Sequence, residues 1–87
     1  LWEMHAHLAA VAPVGRAPEH LVGHGVLHAR DMGGFLDQLQ PLREAIRRGD
    51  RVGPDLVLAG PTLNSEQLAP FHRKVATADE ARAAVRE

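Results

Sequence analysis

Two histidines separated by one residue, His5-Ala6-His7, carry the most direct chemical signal in the chain. They fall in Leu1-Trp2-Glu3-Met4-His5-Ala6-His7-Leu8, whose pattern predicts a strand over 2–8. Alternate residues of a strand share a face, so Glu3, His5 and His7 are expected in one row. Imidazoles ~6.6–7 Å apart along that row can tilt onto one ion, and neutral imidazole is a preferred zinc ligand. The spacing therefore points to a metal site with His5 and His7 as ligands. An H-x-H recurs by chance, so its weight rests on the elements that position it.

The other chemistry-bearing residues read more plainly. His20 and His24 are four apart, a helical spacing able to hold zinc, but Gly23 weakens a helix of about two turns, and solvated surface histidines are expected there. His28 alternates with Val26 and Arg30 along one strand face, which predicts a packed, hydrogen-bonded histidine of the core or the mouth. Arg30 and Asp31 are expected to pair with neighbouring charges as an ion-pair support for the fold, or else to hold the metal-side loops. With Glu3, these two are the candidates for backing the ligands from behind. Gly33-Gly34 reads as a turn rather than an anion cradle. His72 is the candidate for touching substrate. The cluster Arg43, Glu44, Arg47 and Arg48 reads as a solvated helix face.

Composition removes several function classes. Ten basic residues against eleven acidic ones give a formal net charge of −1, and the basic ones are nine arginines and Lys74 without a run. No affinity for nucleic acid or an anionic membrane follows from that balance. Cysteine is absent, so there is no disulfide framework, thiolate metal site or thiol nucleophile. No apolar stretch reaches the ~18 residues of a membrane span, and no secretion signal is visible. The expected compartment is the cytoplasm. Because the first residue is Leu1, the true N-terminus is expected to lie upstream.

The elements alternate. Strands are expected over 2–8, 26–32 and 55–60, and helices over 19–24, 36–48 and 78–87, with a loop over 9–18 and a longer one over 61–74. Leu36, Leu39, Leu42, Ala45 and Ile46 recur at helical spacing, although Pro41 predicts that the regular part begins near it. Gly49 should end that helix. Thr77 followed by Glu80 reads as a capping box for the last one, whose apolar stripe is Ala81, Ala84 and Val85. The third strand is nearly all apolar, as when both faces are covered. Strand, helix, strand, helix, strand, helix implies parallel βαβ units, so the fold class is α/β. At this length, 1–87 would be about the first third of a (β/α)₈ barrel, which needs ~250 residues.

Four strings, in order, resemble the amidohydrolase superfamily. Trp2-Glu3-Met4-His5-Ala6-His7-Leu8 resembles its first-strand signature, an acid, any residue, then H-x-H. Gly25-Val26 with Arg30-Asp31-Met32-Gly33-Gly34 resembles the second strand of its imidazolonepropionase-like and prolidase-like branch, G-V-T-T-V-R-D-M-G-G. Ala59-Gly60-Pro61 looks like that branch's third-strand exit, and Val75 to Val85 like its next helix entry. The resemblance implies an N-terminal (β/α)₈ fragment of a hydrolase with a mononuclear or binuclear divalent centre, zinc foremost. The substrate it implies is an amide, cyclic amide or dipeptide-like C–N bond, attacked by metal-activated water. Glu3 stands where the family usually has aspartate, and His28 where it has a small hydroxyl residue. The family's remaining ligands, often a carboxylated lysine, two histidines and an aspartate, lie on strands four, five, six and eight. None of those strands is in this chain, and Lys74, ahead of a helix, is not that lysine. The fragment alone is therefore expected to be inactive.

A rival reading is a small non-catalytic α/β module that self-associates, or binds a protein partner, through open sheet edges. A weaker third is a metal-binding module using His5, His7 and His28.

Overall fold

The computed structural model describes residues 1–10 and 13–87. Its elements run β1 (Trp2–Ala6), α1 (Ala17–Gly23), β2 (His28–Asp31), α2 (Leu36–Arg48), β3 (Asp55–Leu58), β4 (Thr62–Asn64), β5 (His72–Lys74) and α3 (Ala78–Arg86). Part of the expected 9–18 loop, residues 11 and 12, lies outside the described residues.

β1, β2 and β3 form a parallel sheet in chain order, with α1 and α2 as its two crossovers. Ala29 of β2 and Leu56 of β3 are paired neighbours on one face. Leu21 of α1 and Leu39, Leu42 and Ile46 of α2 pack into the same cluster as those two residues. Both helices therefore cover one side of the sheet. Leu39 and Leu56 lose essentially all contact with water, each contributing ~1.5–3 kcal/mol of apolar burial. The opposite face is bare: Trp2 is 51%, Met4 51% and Val57 48% exposed. The expectation that β3 would be covered on both faces is corrected accordingly, since no described helix packs on the Val57 side.

α2 runs unbroken from Leu36, and the expected start near Pro41 is corrected. Pro41 is exposed and lies in the second turn, where it removes one helical hydrogen bond, while Leu39, two residues earlier, is already fully buried. Gly49 closes the helix in the left-handed conformation, φ 79°. β4 and β5, which pair in parallel, replace part of the expected 61–74 loop. Each has three residues, too few to show a period. The capping box of α3 forms in a lengthened version: the Glu80 amide donates to Thr77 Oγ1 at 3.2 Å, and Glu80 Oε2 accepts from the Ala76 amide at 2.6 Å. Of its stripe, Ala81 and Ala84 are half-buried and Val85 is exposed.

Two ion pairs tie loops and ends to this frame. Arg51, after α2, donates to Glu19 of α1 at 3.0 Å and also reaches the Gly15 carbonyl. That hydrogen bond holds the Glu19 carboxyl below its usual range. Arg73 of β5 grips Glu87 with two guanidinium nitrogens, lowering the Glu87 carboxyl and raising the Arg73 guanidinium, again chiefly through hydrogen bonding. No helix among the described residues is long and apolar enough to cross a membrane.

Candidate metal centre

β1, which carries His5 and ends one residue before His7, contains one residue too many for its partner. Glu3 pairs with Ala29 and Ala6 with Asp31, so three steps along β1 match two along β2, a β-bulge. Alternation is reset across it. Glu3 and Ala6 share the helix-side row with Ala29 and Asp31 and are half-buried, whereas Met4, His5 and His7 are exposed. The expected single row of Glu3, His5 and His7 is thus corrected: Glu3 is on the other face. Two side chains take up the backbone groups at the bulge. Glu3 Oε1 accepts from the His5 amide at 2.9 Å, and Arg30 Nε donates to the Met4 carbonyl at 3.0 Å.

The imidazoles converge where β1 ends. Their Nε2 atoms lie 3.2 Å apart, with the ring planes at 69°. Two nitrogens on one tetrahedral zinc, each at ~2.0–2.1 Å, would be ~3.3–3.4 Å apart. The separation fits a shared ion with little movement. His7 Nδ1 donates to the Gly33 carbonyl at 2.9 Å. A carbonyl can only accept, so His7 carries its proton on Nδ1, and in the neutral ring Nε2 keeps its lone pair. His5 must leave its own Nε2 unprotonated for both lone pairs to meet one cation.

Behind the pair sits Asp31, fully buried. Its Oδ2 accepts from the Leu8 amide at 2.8 Å and its Oδ1 from the Gly33 amide at 3.1 Å. One carboxylate therefore joins the exits of β1 and β2. The expected ion pair of Arg30 or Asp31 with a neighbouring charge does not form among the described residues, and as successive strand residues the two point to opposite faces. Arg30 serves the bulge and Asp31 the turn.

Phe71 is the residue that the sequence reading missed. Its ring packs on His7 with centroids 5.4 Å apart and meets His72 edge-on at 4.8 Å. His72, the candidate substrate contact, is separated from the pair by that ring, and its Nδ1 is buried with no hydrogen-bond partner among the described residues. The available signal was an aromatic beside a histidine, Phe71-His72, in a chain with only three aromatics. Gly33 lets Phe71 approach: a Cβ there would come 2.5 Å from Thr62 Oγ1 and 2.9 Å from the Phe71 ring.

The remaining histidines serve elsewhere. His28 stacks on Trp2 at 4.6 Å where β2 begins, the opposite end of the strand from the pair, so the third, His28-containing site is not assembled. His20 and His24 are exposed, with His24 Nδ1 bonded to the His20 carbonyl. They share with His7 an open groove of about 400 Å³. A larger cavity of about 470 Å³, between α3, β4–β5 and the start of α2, contains no histidine. Lys74 closes β5 rather than lying in a loop, and it is exposed. Among the described residues no group of three or more histidine, aspartate or glutamate side chains could hold a metal. His5 and His7 would supply two ligands where a catalytic zinc takes three from protein.

No protein-family model and no curated protein matches the sequence. Among solved structures, the chain is similar to that of a putative prolidase from Bifidobacterium longum, with 29% identity and a TM-score of 0.82. The match covers 99% of this chain and 22% of that one, so the chain spans about a fifth of that protein's length. It is a mixed α/β unit, with parallel strands and three helices, similar throughout to part of that protein.

Proposed function

We propose that residues 1–87 form the opening part of a (β/α)₈ barrel in a metal-dependent hydrolase of C–N bonds, and that His5 and His7 are two of its metal ligands. The observation that carries this is the 3.2 Å approach of two Nε2 atoms at the C-terminal end of a parallel strand. Catalytic groups gather at that end of barrel strands. Helices on one side only, with strands in sequential order, support a singly wound barrel over a doubly wound sheet, and the bare Trp2–Met4–Val57 face is then the barrel interior. The likeness to a prolidase-like protein supports the reaction class.

In this reading His7 presents an Nε2 lone pair set by the Gly33 carbonyl, and His5 presents a second one beside it. A divalent ion held there, zinc foremost, supplies Lewis acidity towards the scissile carbonyl and towards an attacking water. Phe71 excludes solvent from one side of His7. Substrates are amides, cyclic amides or dipeptide-like molecules, and the name of the similar protein puts proline-containing dipeptides first among those to assay.

The test is zinc binding by the protein expressed from its full reading frame, with His5→Ala and His7→Ala variants. Each substitution should lower zinc affinity at least tenfold and abolish chelator-sensitive hydrolysis of a proline-containing dipeptide. Unchanged zinc stoichiometry and affinity in both variants would overturn the ligand assignment. A second reading, an α/β module that self-associates or binds a protein partner through open sheet edges, draws on β1 and β3 as the outer strands of the three-stranded sheet, and such pairing would be independent of metal.

A further inference from the structure

We propose that Asp31 is a positioning residue for His7, acting through Gly33 to fix which nitrogen of the imidazole is free. This rests on the reading of His7 as a ligand. Asp31 touches neither histidine. Its two oxygens hold the Leu8 and Gly33 amides, at 2.8 and 3.1 Å, and the same Gly33 residue turns its carbonyl to His7 Nδ1 at 2.9 Å. Leu8 directly follows His7, so the carboxylate grips the backbone on one side of the imidazole and the group that orients its ring on the other. An isolated carboxylate placed fully out of water is strongly disfavoured, and amide donors are what offsets the loss of hydration here. Asparagine would be nearly the same shape with one acceptor replaced by a donor. At this position that donor would face an amide N–H, and one of the two grips would be lost.

The consequence lies in the proton on His7. With Gly33 held, the Nδ1–H tautomer is selected and Nε2 faces His5. With Gly33 released, Nδ1 loses its acceptor and the ring can rotate or carry its proton on Nε2, where it blocks the lone pair. Removing such outer support of a metal-ligating histidine typically lowers metal affinity ~10–100-fold.

The test uses the full-length protein with histidine-selective ¹⁵N labelling, metal-free, followed by zinc titration. Two-bond ¹H–¹⁵N correlations should show His7 as the Nδ1–H tautomer in the wild type. In Asp31→Asn, and in Asp31→Glu where the oxygens are displaced by one methylene, that signature should be lost and zinc affinity should fall ~10–100-fold. Leu56→Ala, a core truncation, should lower stability while leaving the tautomer and affinity as in the wild type. A wild-type His7 protonated on Nε2, variants with unchanged tautomer, or an equal loss of affinity in Leu56→Ala would each overturn the proposal. His7→Ala separates the two levels. If it binds zinc as the wild type does, the ligand reading has failed; if it does not, and the Asp31 variants bind normally, only the positioning role has.

Discussion

Replacing Gly33 with alanine should cost more than any other single methyl group near the histidines. The added carbon would lie 2.9 Å from Phe71 Cε2, 3.1 Å from Cδ2 and 2.5 Å from Thr62 Oγ1. Ordinary carbon–carbon contact is ~3.5–4.0 Å, so the ring must retreat by roughly 0.6–1.1 Å. The Thr62 hydroxyl can turn away about one bond. Phe71 can retreat only by giving up its packing on His7 and His72. Gly33 also has φ 156°, a backbone conformation that side-chain-bearing residues rarely adopt. Overpacking and backbone strain together predict a loss of about 2–4 kcal/mol. Urea unfolding of the full-length protein measures it. The distinguishing result comes from a double-mutant cycle: in a Phe71→Ala background the ring clash is gone, so the cost of the alanine should drop by ~1 kcal/mol or more. Equal cost in both backgrounds would refute the account of why glycine stands there.

Three further outcomes follow from the frame. Leu39→Ala, at a fully buried core position, should lower unfolding free energy by about 2–5 kcal/mol, read from denaturant melts. Thr77→Ala removes the side-chain acceptor for the Glu80 amide and should lose ~1 kcal/mol where α3 is coupled to the fold, with earlier fraying by hydrogen exchange. Glu19 has its carboxyl held below its ordinary 4.5 by Arg51. Its contribution is therefore present above that pH and fades as pH falls through the lower folded value. Melting temperatures of wild type and Glu19→Gln should converge as the pH is lowered below the ordinary 4.5, and also in ~1 M salt, because the pair is partly exposed. A gap that widens on acidification would contradict the assignment.

Much of this architecture is legible in local pattern. The apolar period of Leu36, Leu39, Leu42 and Ile46 locates α2, because a core on one side imposes it, whereas β3 is located by its apolar run, which misleads about cover on its second face. Pro41 misleads about the start of α2, since burial of Leu39 outweighs one missing hydrogen bond. β4 and β5 are invisible because three residues such as His72-Arg73-Lys74 pair through backbone alone. His5 and His7 are legible by type and spacing. The bulge, the partner of Asp31 and the approach of Phe71 are not, as each depends on which residue faces which across strands that are distant in sequence.

The bulge itself decides which side of the sheet receives the imidazoles. If β1 continued in the register of Trp2–His28 and Glu3–Ala29, Met4 would pair with Arg30 and His5 with Asp31, sending His5 and His7 into the helix layer. One extra residue turns them to the opposite face. Such a residue persists only if its backbone groups find partners, and Glu3 supplies one by accepting from the His5 amide. Glu3→Gln keeps an oxygen at that point; Glu3→Ala does not. The amide is exposed, so water replaces much of the loss and the stability change in Glu3→Ala should be only ~0.5–1.5 kcal/mol. Zinc affinity should respond more sharply, because slippage of the register moves both ligands together. Glutamine should therefore preserve zinc binding within a few-fold while alanine weakens it by tenfold or more. Were the two variants to bind zinc equally, Glu3 would have no part in holding the register, and the face of the sheet would be set without it, by contacts such as Arg30–Met4 and Asp31–Leu8.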